Sequence, residues 1–201
     1  MMKANIKVME KPDWISWDKI HEAIWKAHEN NREKGVYMKY PTWSGLVIEE
    51  KLKDGKMLVA TDGTKLVGTA GVKLKKRASW YGNGTFAYCF LDSVLPDYNG
   101  FGIYKQLSLK REELVRGLGI TRLFIDTHEN NNRELAILKK NGYQSVDYRF
   151  YNDHYNVVLV KWLDGCPFRN YRLGYEYAKR KVMCKMKIFW KNRIVSNGIF
   201  R

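Results

Sequence analysis

The stretch LDSVLPDYNGFGIYKQLSLKREEL, residues 91–114, contains the change of period that decides the fold. Before it, residues 85–91 read TFAYCFL, an aromatic and apolar run of the kind carried by a strand buried on both faces. Pro96 has no N–H to give to a ladder, so strand pairing is expected to stop there. From Tyr104 the apolar positions Tyr104, Leu107, Leu109, Leu114 and Val115 recur at mostly helical spacing, with Lys105, Lys110, Arg111 and Glu112 between them. Gly100 and Gly102 thus stand where a strand hands over to a helix. Backbone amides point outward there and the helix dipole is positive, which suits an anion. A diphosphate demands more, because the backbone must approach it along several residues, and glycines permit what side chains obstruct.

The spacing narrows the choice. A dinucleotide fingerprint needs a third glycine where Lys105 stands, and a P-loop needs Gly-Lys-Ser/Thr after four intervening residues; this chain has neither. The run Asn99-Gly100-Phe101-Gly102-Ile103-Tyr104 instead resembles the acyl-CoA pyrophosphate loop of the GCN5-related N-acetyltransferases (GNAT), Gln/Arg-x-x-Gly-x-Gly/Ala. It departs from that pattern at Asn99, where Arg or Gln is usual, and at Tyr104, where a small residue is usual. A second segment strengthens the resemblance. Residues 122–127, RLFIDT, read as a strand, and residues 131–143, NNRELAILKKNGY, read as a helix ended by glycine. These are similar to the family's closing segment, in which an asparagine after the strand faces the cofactor and the helix ends in Gly-Phe or Gly-Tyr; Asn131 takes the asparagine's place. The match spans roughly residues 5–162 and is strongest over 91–143.

The resemblance implies an α/β (α+β) fold with a mixed, mostly antiparallel twisted sheet flanked by helices, as a domain over residues 1–163, and acetyl-CoA as co-substrate. Asn99, Gly100, Phe101, Gly102, Ile103, Tyr104 and Asn131 become the cofactor-binding candidates, together with Val94 and Leu95, whose backbone amides are placed to meet a thioester oxygen as it becomes an oxyanion. The family's frequent tyrosine acid falls, counting back from Gly142, on Leu138, so no such role transfers. Two residues are candidate catalytic bases: Asp92, two residues before Val94, and His128, after the neighbouring strand, with an ordinary pKa of about 6.5. For each a plain alternative stands beside the catalytic one, a structural hydrogen bond for Asp92 and a loop turn for His128, and transfer by proximity and backbone donors alone is a third route. Asp126 reads as structural. A non-catalytic protein keeping a CoA-binding fold is the competing reading, motivated by Leu138, Asn99 and Tyr104.

Upstream, Asn5 to Met9 alternates like a strand, Ser16 caps a helix running through Ile20, Ile24 and His28, and a second helix covers 44–52. Strands are expected over 56–61 and 65–74 around the Asp62-Gly63 turn, then a basic loop from Lys75-Lys76-Arg77 to Gly84. His28, Tyr37, Tyr40 and Trp43 are candidates either to touch an acceptor or to form a packed aromatic cluster. Two final strands fall over 145–150 and 155–162, joined through Asn152-Asp153.

Composition bounds the rest. The 201 residues are 45% hydrophobic and 14% aromatic, enough for a core and against disorder. No run approaches the roughly 18 apolar residues of a membrane span, and the N-terminus lacks a secretory pattern, so a cytoplasmic location is expected. Cys89, Cys166 and Cys184 are widely spaced, as reduced thiols rather than a disulfide frame or a metal site. The net charge is +15. Residues 166–201 hold ten Lys or Arg against Glu176 alone. Within this tail, residues 164–201, the positions Tyr171, Tyr175, Ala178, Val182, Met186, Phe189 and Trp190 repeat by three or four, which predicts a basic amphipathic helix. It lies on an anionic membrane surface through residues 168–195, packs on the domain or on a second copy in a homodimer, or contacts nucleic acid, the least favoured reading because no recognised motif is present. Basic aromatic tails of this sort are similar to those of some bacterial acetyltransferases associated with surface polysaccharide assembly, which points to a small-molecule acceptor such as an amino sugar.

Overall fold

In a computed structural model, residues 5–31, 33–36, 42–151 and 154–196 are described, without the side chains of 30, 170 and 190–196. The elements in order are β1 (Ile6–Glu10), α1 (Trp17–His28), α2 (Gly45–Lys51), β2 (Gly55–Asp62), β3 (Lys65–Arg77), β4 (Gly84–Val94), α3 (Ile103–Gly117), β5 (Arg122–His128), α4 (Asn132–Lys140), β6 (Gln144–Tyr151), β7 (His154–Trp162) and α5 (Asn170–Ser196). They build a seven-stranded sheet in the order β1-β2-β3-β4-β5-β7-β6. Its pairs β1–β2, β2–β3, β3–β4 and β6–β7 are antiparallel, and β4–β5 is parallel through Ala87↔Leu123 and Tyr88↔Phe124. The mixed, mostly antiparallel sheet flanked by helices is as expected. The chain divides into two compact units, Met1–Ile125 and Asp126–Arg201.

In the first unit the side-chain alternation of β2 explains why it is apolar throughout. Met57 and Val59 join a cluster with Ile20 and Ile24 of α1 and Ile48 of α2, while Leu58 and Ala60 join another with Ile103 and Leu107 of α3. A strand sandwiched between helices has no wet face to mark with polar residues. The helix starts follow local chemistry: the hydroxyls of Ser16 and Ser44 accept from the N–H groups of Lys19 and Val47.

Two expectations are corrected here. Lys75, Lys76 and Arg77 belong to β3 rather than to a loop. Lys75 Nζ lies 3.8 Å from the centre of the Tyr88 ring and the Arg77 guanidinium 4.7 Å from that of Phe124, so aromatic faces take the cations that sequence places in a hairpin tip. The buried face of α3 is formed by Ile103, Leu107, Ser108, Arg111, Glu112 and Val115, while Leu109 is exposed.

In the second unit α5 packs along β6. Leu173 is buried, the Tyr177 ring meets Tyr148 edge-on at 6.4 Å, and Arg180 lies 3.8 Å from Asp147. Lys181 and Lys185 sit over Tyr148 at 5.2 and 5.7 Å, and Lys185 pairs with Glu129 at 3.6 Å. Glu129 also accepts from the Tyr148 hydroxyl, whose pKa is raised by burial and by that carboxylate. The packed face is therefore not the apolar stripe: Tyr171, Tyr175, Ala178, Val182, Met186 and Phe189 are all exposed. No helix among the described residues is long and apolar enough to cross a membrane.

Candidate active site

The site of the first unit is built around an irregularity in β4. Its register with β3 passes from Gly71↔Phe90 to Thr69↔Ser93, so two residues, Leu91 and Asp92, stand opposite Ala70 alone. That is a β-bulge, and Leu91 takes the strained left-handed conformation, φ 59°, which a branched side chain adopts only when its surroundings hold it there. The holders are identifiable. Thr69 Oγ1 donates to the Leu91 carbonyl at 2.7 Å and bonds the Ser93 hydroxyl at 2.7 Å, while the Leu91 side chain joins the α1–α2 cluster.

The bulge directs the next residue toward α3. Asp92 Oδ1 and Oδ2 accept from Arg111 Nη1 and Nη2 at 2.6 and 2.9 Å, a bidentate pair within the core. The Asp92 carbonyl meets His28 Nε2 at 3.1 Å, and His28 Nδ1 meets Asn31 Nδ2 at 2.7 Å. A carbonyl only accepts, so Nε2 carries the proton and Nδ1 accepts from the amide. Burial pushes the His28 imidazole below its ordinary pKa, against the carbonyl bond that raises it, which keeps the ring neutral. One strand position is thus tied to the C-terminal end of α1 and to the middle of α3.

Beyond the bulge the edges of β4 divide the backbone donors. Leu95 N–H donates to the Val67 carbonyl of β3 at 2.9 Å. Successive amides in a strand point to opposite edges, so Val94 N–H faces away from β3. Pro96 opens a short 3-10 turn, Pro96–Tyr98, whose Tyr98 hydroxyl donates to Asp62 at 3.1 Å and whose ring lies 6.0 Å from Phe101. Gly100 and Gly102 follow at φ 90° and 72°, and Gly102 is the N-cap of α3. A Cβ on either glycine would enter open space, with nothing within 4 Å. The glycines therefore serve the conformation and leave a clear approach to the first turn of α3, where helical geometry points N–H groups outward. Such a cradle fits the diphosphate of a CoA ester.

In the second unit His128 ends β5. Its Nδ1 accepts from Asn130 N–H at 3.0 Å, which puts the proton of a neutral ring on Nε2, and its ring stacks on His154 at 5.2 Å. Asn131 is the N-cap of α4: Oδ1 accepts from Glu134 N–H at 3.4 Å, and Nδ2 donates to Thr127 Oγ1 at 3.2 Å and Glu134 Oε2 at 2.6 Å. Leu138 is fully buried. Asp92 and His128 thus fall in different units: the Asp92 carboxylate is engaged by Arg111, and His128 Nδ1 by the Asn130 N–H. Of the acceptor candidates, Trp43 packs half-buried against the α1–α2 cluster, while Tyr37 and Tyr40 lie outside the described residues, as do Asn152 and Asp153.

Sequence reasoning missed Arg111 and Thr69 as site-forming residues. Arg111 left a faint signal, four residues after Leu107 on the buried helical face; Thr69 left none.

A model of the Acetyltransferase (GNAT) family matches residues 17–143, and the chain belongs to that family. No curated protein matches the sequence. Among solved structures the chain is similar to the PaiA N-acetyltransferase of Thermoplasma acidophilum in complex with coenzyme A, with TM-score 0.61 and 17% identity over 79% of this chain and 99% of that one. It is similar to a GNAT family acetyltransferase from Elizabethkingia anophelis with acetyl-CoA bound, TM-score 0.58 and 15% identity over 80% and 100% of the two chains. An acetyltransferase from Streptococcus agalactiae gives TM-score 0.60 and 18% identity over 80% and 100%.

Proposed function

We propose that residues 1–163 form an acetyltransferase domain, with residues 164–201 as a basic tail, and that it moves an acetyl group from acetyl-CoA to an amine or hydroxyl of a small-molecule acceptor. The observation that carries this reading is the open glycine cradle at the N-terminus of α3, one short turn beyond a bulged strand, in a chain of this family. Bound acetyl-CoA supplies an activated acyl carbon: the acceptor's nitrogen or oxygen forms the new bond to it as the carbon–sulfur bond breaks, and the sulfur leaves as thiolate. In this reading Asn99, Gly100, Phe101, Gly102, Ile103 and Tyr104 wrap the diphosphate, and Asn131, at the start of α4 in the second unit, is a separate cofactor-binding candidate. Val94 N–H is the donor for the developing oxyanion, and Leu95 holds that strand end to β3.

Asp92 and His128 enter as positioning groups. The Asp92 carboxylate is fully engaged by Arg111, and His128 offers a proton rather than a lone pair at Nε2, so neither is set to take the acceptor's proton directly. The acceptor's proton leaves to water, and orientation supplies most of the rate. Thiol release from acetyl-CoA over a panel of amino sugars, nucleotide-linked sugars and amines tests this: one acceptor turned over faster than water by the wild type and not by Gly102→Val supports it.

A second reading, a CoA-binding protein without turnover, is favoured by the buried Leu138 at the usual acid's place. Hydrolysis at the background rate with every acceptor, alongside tight acetyl-CoA binding, is its signature.

A further inference from the structure

We infer that the outward face of α5 is a docking surface for an anionic lipid membrane, with the helix lying in the interface. Residues 171, 175, 178, 182, 186 and 189 step by three or four and so fall on one line of the helix. The large side chains Tyr171, Tyr175, Val182, Met186 and Phe189 are 53 to 73% exposed, whereas Leu173, on the side packed against β6, is 4% exposed. From Tyr171 to Phe189 the line runs about 27 Å at 1.5 Å per residue. Monomeric surfaces rarely present an apolar stripe of that length to water.

Charge selects the occupant. The helix holds Arg172, Lys179, Arg180, Lys181, Lys185, Lys187, Lys191 and Arg193 against Glu176 alone. On the side of α5 that faces β6 a groove of about 530 Å³ opens between the two elements, lined by Arg149, Lys179, Arg180 and Lys187 against Asp147 and Glu176. Anionic headgroups meet the basic residues that flank the stripe, while the stripe enters the boundary between headgroups and acyl chains. A second copy docked helix to helix brings two strongly basic surfaces together, so like charges oppose it. A nucleic acid answers the charge but leaves the apolar line against phosphates. Only a surface that is both anionic and apolar a few ångströms down satisfies both features.

The test is flotation of the full chain with vesicles of phosphatidylcholine alone or with about one third phosphatidylglycerol, at physiological salt, alongside sedimentation velocity without lipid. Binding is expected on the anionic vesicles and not on the neutral ones. Replacing Tyr175, Val182 and Met186 together by Ser keeps the charge and is expected to weaken that binding about tenfold or more. Lys179→Glu with Lys187→Glu keeps the stripe and is expected to weaken it similarly; circular dichroism checks both folds. The inference is overturned if the full chain ignores anionic vesicles, or if the triple-serine variant binds them like wild type. It is overturned equally if the wild type is a dimer that the serine variant dissociates and vesicles do not, or if duplex DNA competes the vesicles away with no effect of the serine changes on DNA affinity.

Discussion

Arg111 and Asp92 form a bidentate ion pair across the interior of the first unit, at 2.6 and 2.9 Å, with their side chains 1 and 6% exposed. The pair joins the middle of α3 to the β4 bulge, so it sets how the glycine-capped helix sits on the strand whose end it continues. Arg111→Met strands a buried carboxylate and is expected to cost about 3–5 kcal/mol, whereas Arg111→Met with Asp92→Leu recovers most of that. Urea unfolding of both variants measures it. A single-variant loss below about 1 kcal/mol would mean the carboxylate finds water and the pair is dispensable.

His28 makes stability depend on pH in a predictable direction. Its folded pKa lies below the ordinary 6.5 because burial penalises the charged ring. As the pH falls through 6.5 the unfolded chain takes the proton first, so stability declines on acidification from that point down to the folded pKa. His28→Gln retains a donor for the Asp92 carbonyl and removes the titration. Melting temperatures between pH 8 and pH 5 are expected to fall more steeply for wild type than for His28→Gln; parallel curves would show that the ring's burial is not felt.

Gly102→Val forces a branched residue to φ 72° and fills the open approach to α3. We expect a stability loss of about 1–2 kcal/mol from the left-handed backbone. A loss of acetyl-CoA affinity of tenfold or more should accompany it, and Gly102→Ala should fall between. Calorimetric binding beside thermal melts separates the two effects.

Asn131→Ala removes the cap of α4 and the bonds to Thr127 and Glu134, an expected loss of about 1 kcal/mol. Asn131→Ser keeps a capping oxygen and should restore part of the stability. If the side chain also reaches the cofactor, the serine variant regains stability without regaining affinity.

What the chain declares in sequence is what depends on neighbours along it. The glycine turn, Pro96, the serine caps and the Gly142 stop are local chemistry, so the elements from β4 to α4 were legible. The bulge was not, because the hydroxyl that holds it belongs to Thr69, more than twenty residues away on β3. Arg111 looked like a surface charge because its partner Asp92 lies on another element, and only their pairing makes burial tolerable. Lys75 and Arg77 looked like loop residues because the rings that receive them, Tyr88 and Phe124, come from other strands. In α5 the spacing revealed a stripe, but which side meets β6 was decided by Tyr148, Asp147 and Glu129, which recruit Tyr177 and the basic residues instead.

The central claim is that the loop 99–104 and the start of α3 cradle an acyl-CoA. Isothermal titration of the full chain with acetyl-CoA, CoA and a nicotinamide dinucleotide, at one salt concentration, addresses it directly. The account predicts saturable binding of acetyl-CoA and CoA, none of the dinucleotide, and loss of both CoA signals in Gly102→Val. Absence of acetyl-CoA binding by the folded wild type, or undiminished binding by folded Gly102→Val, would contradict it.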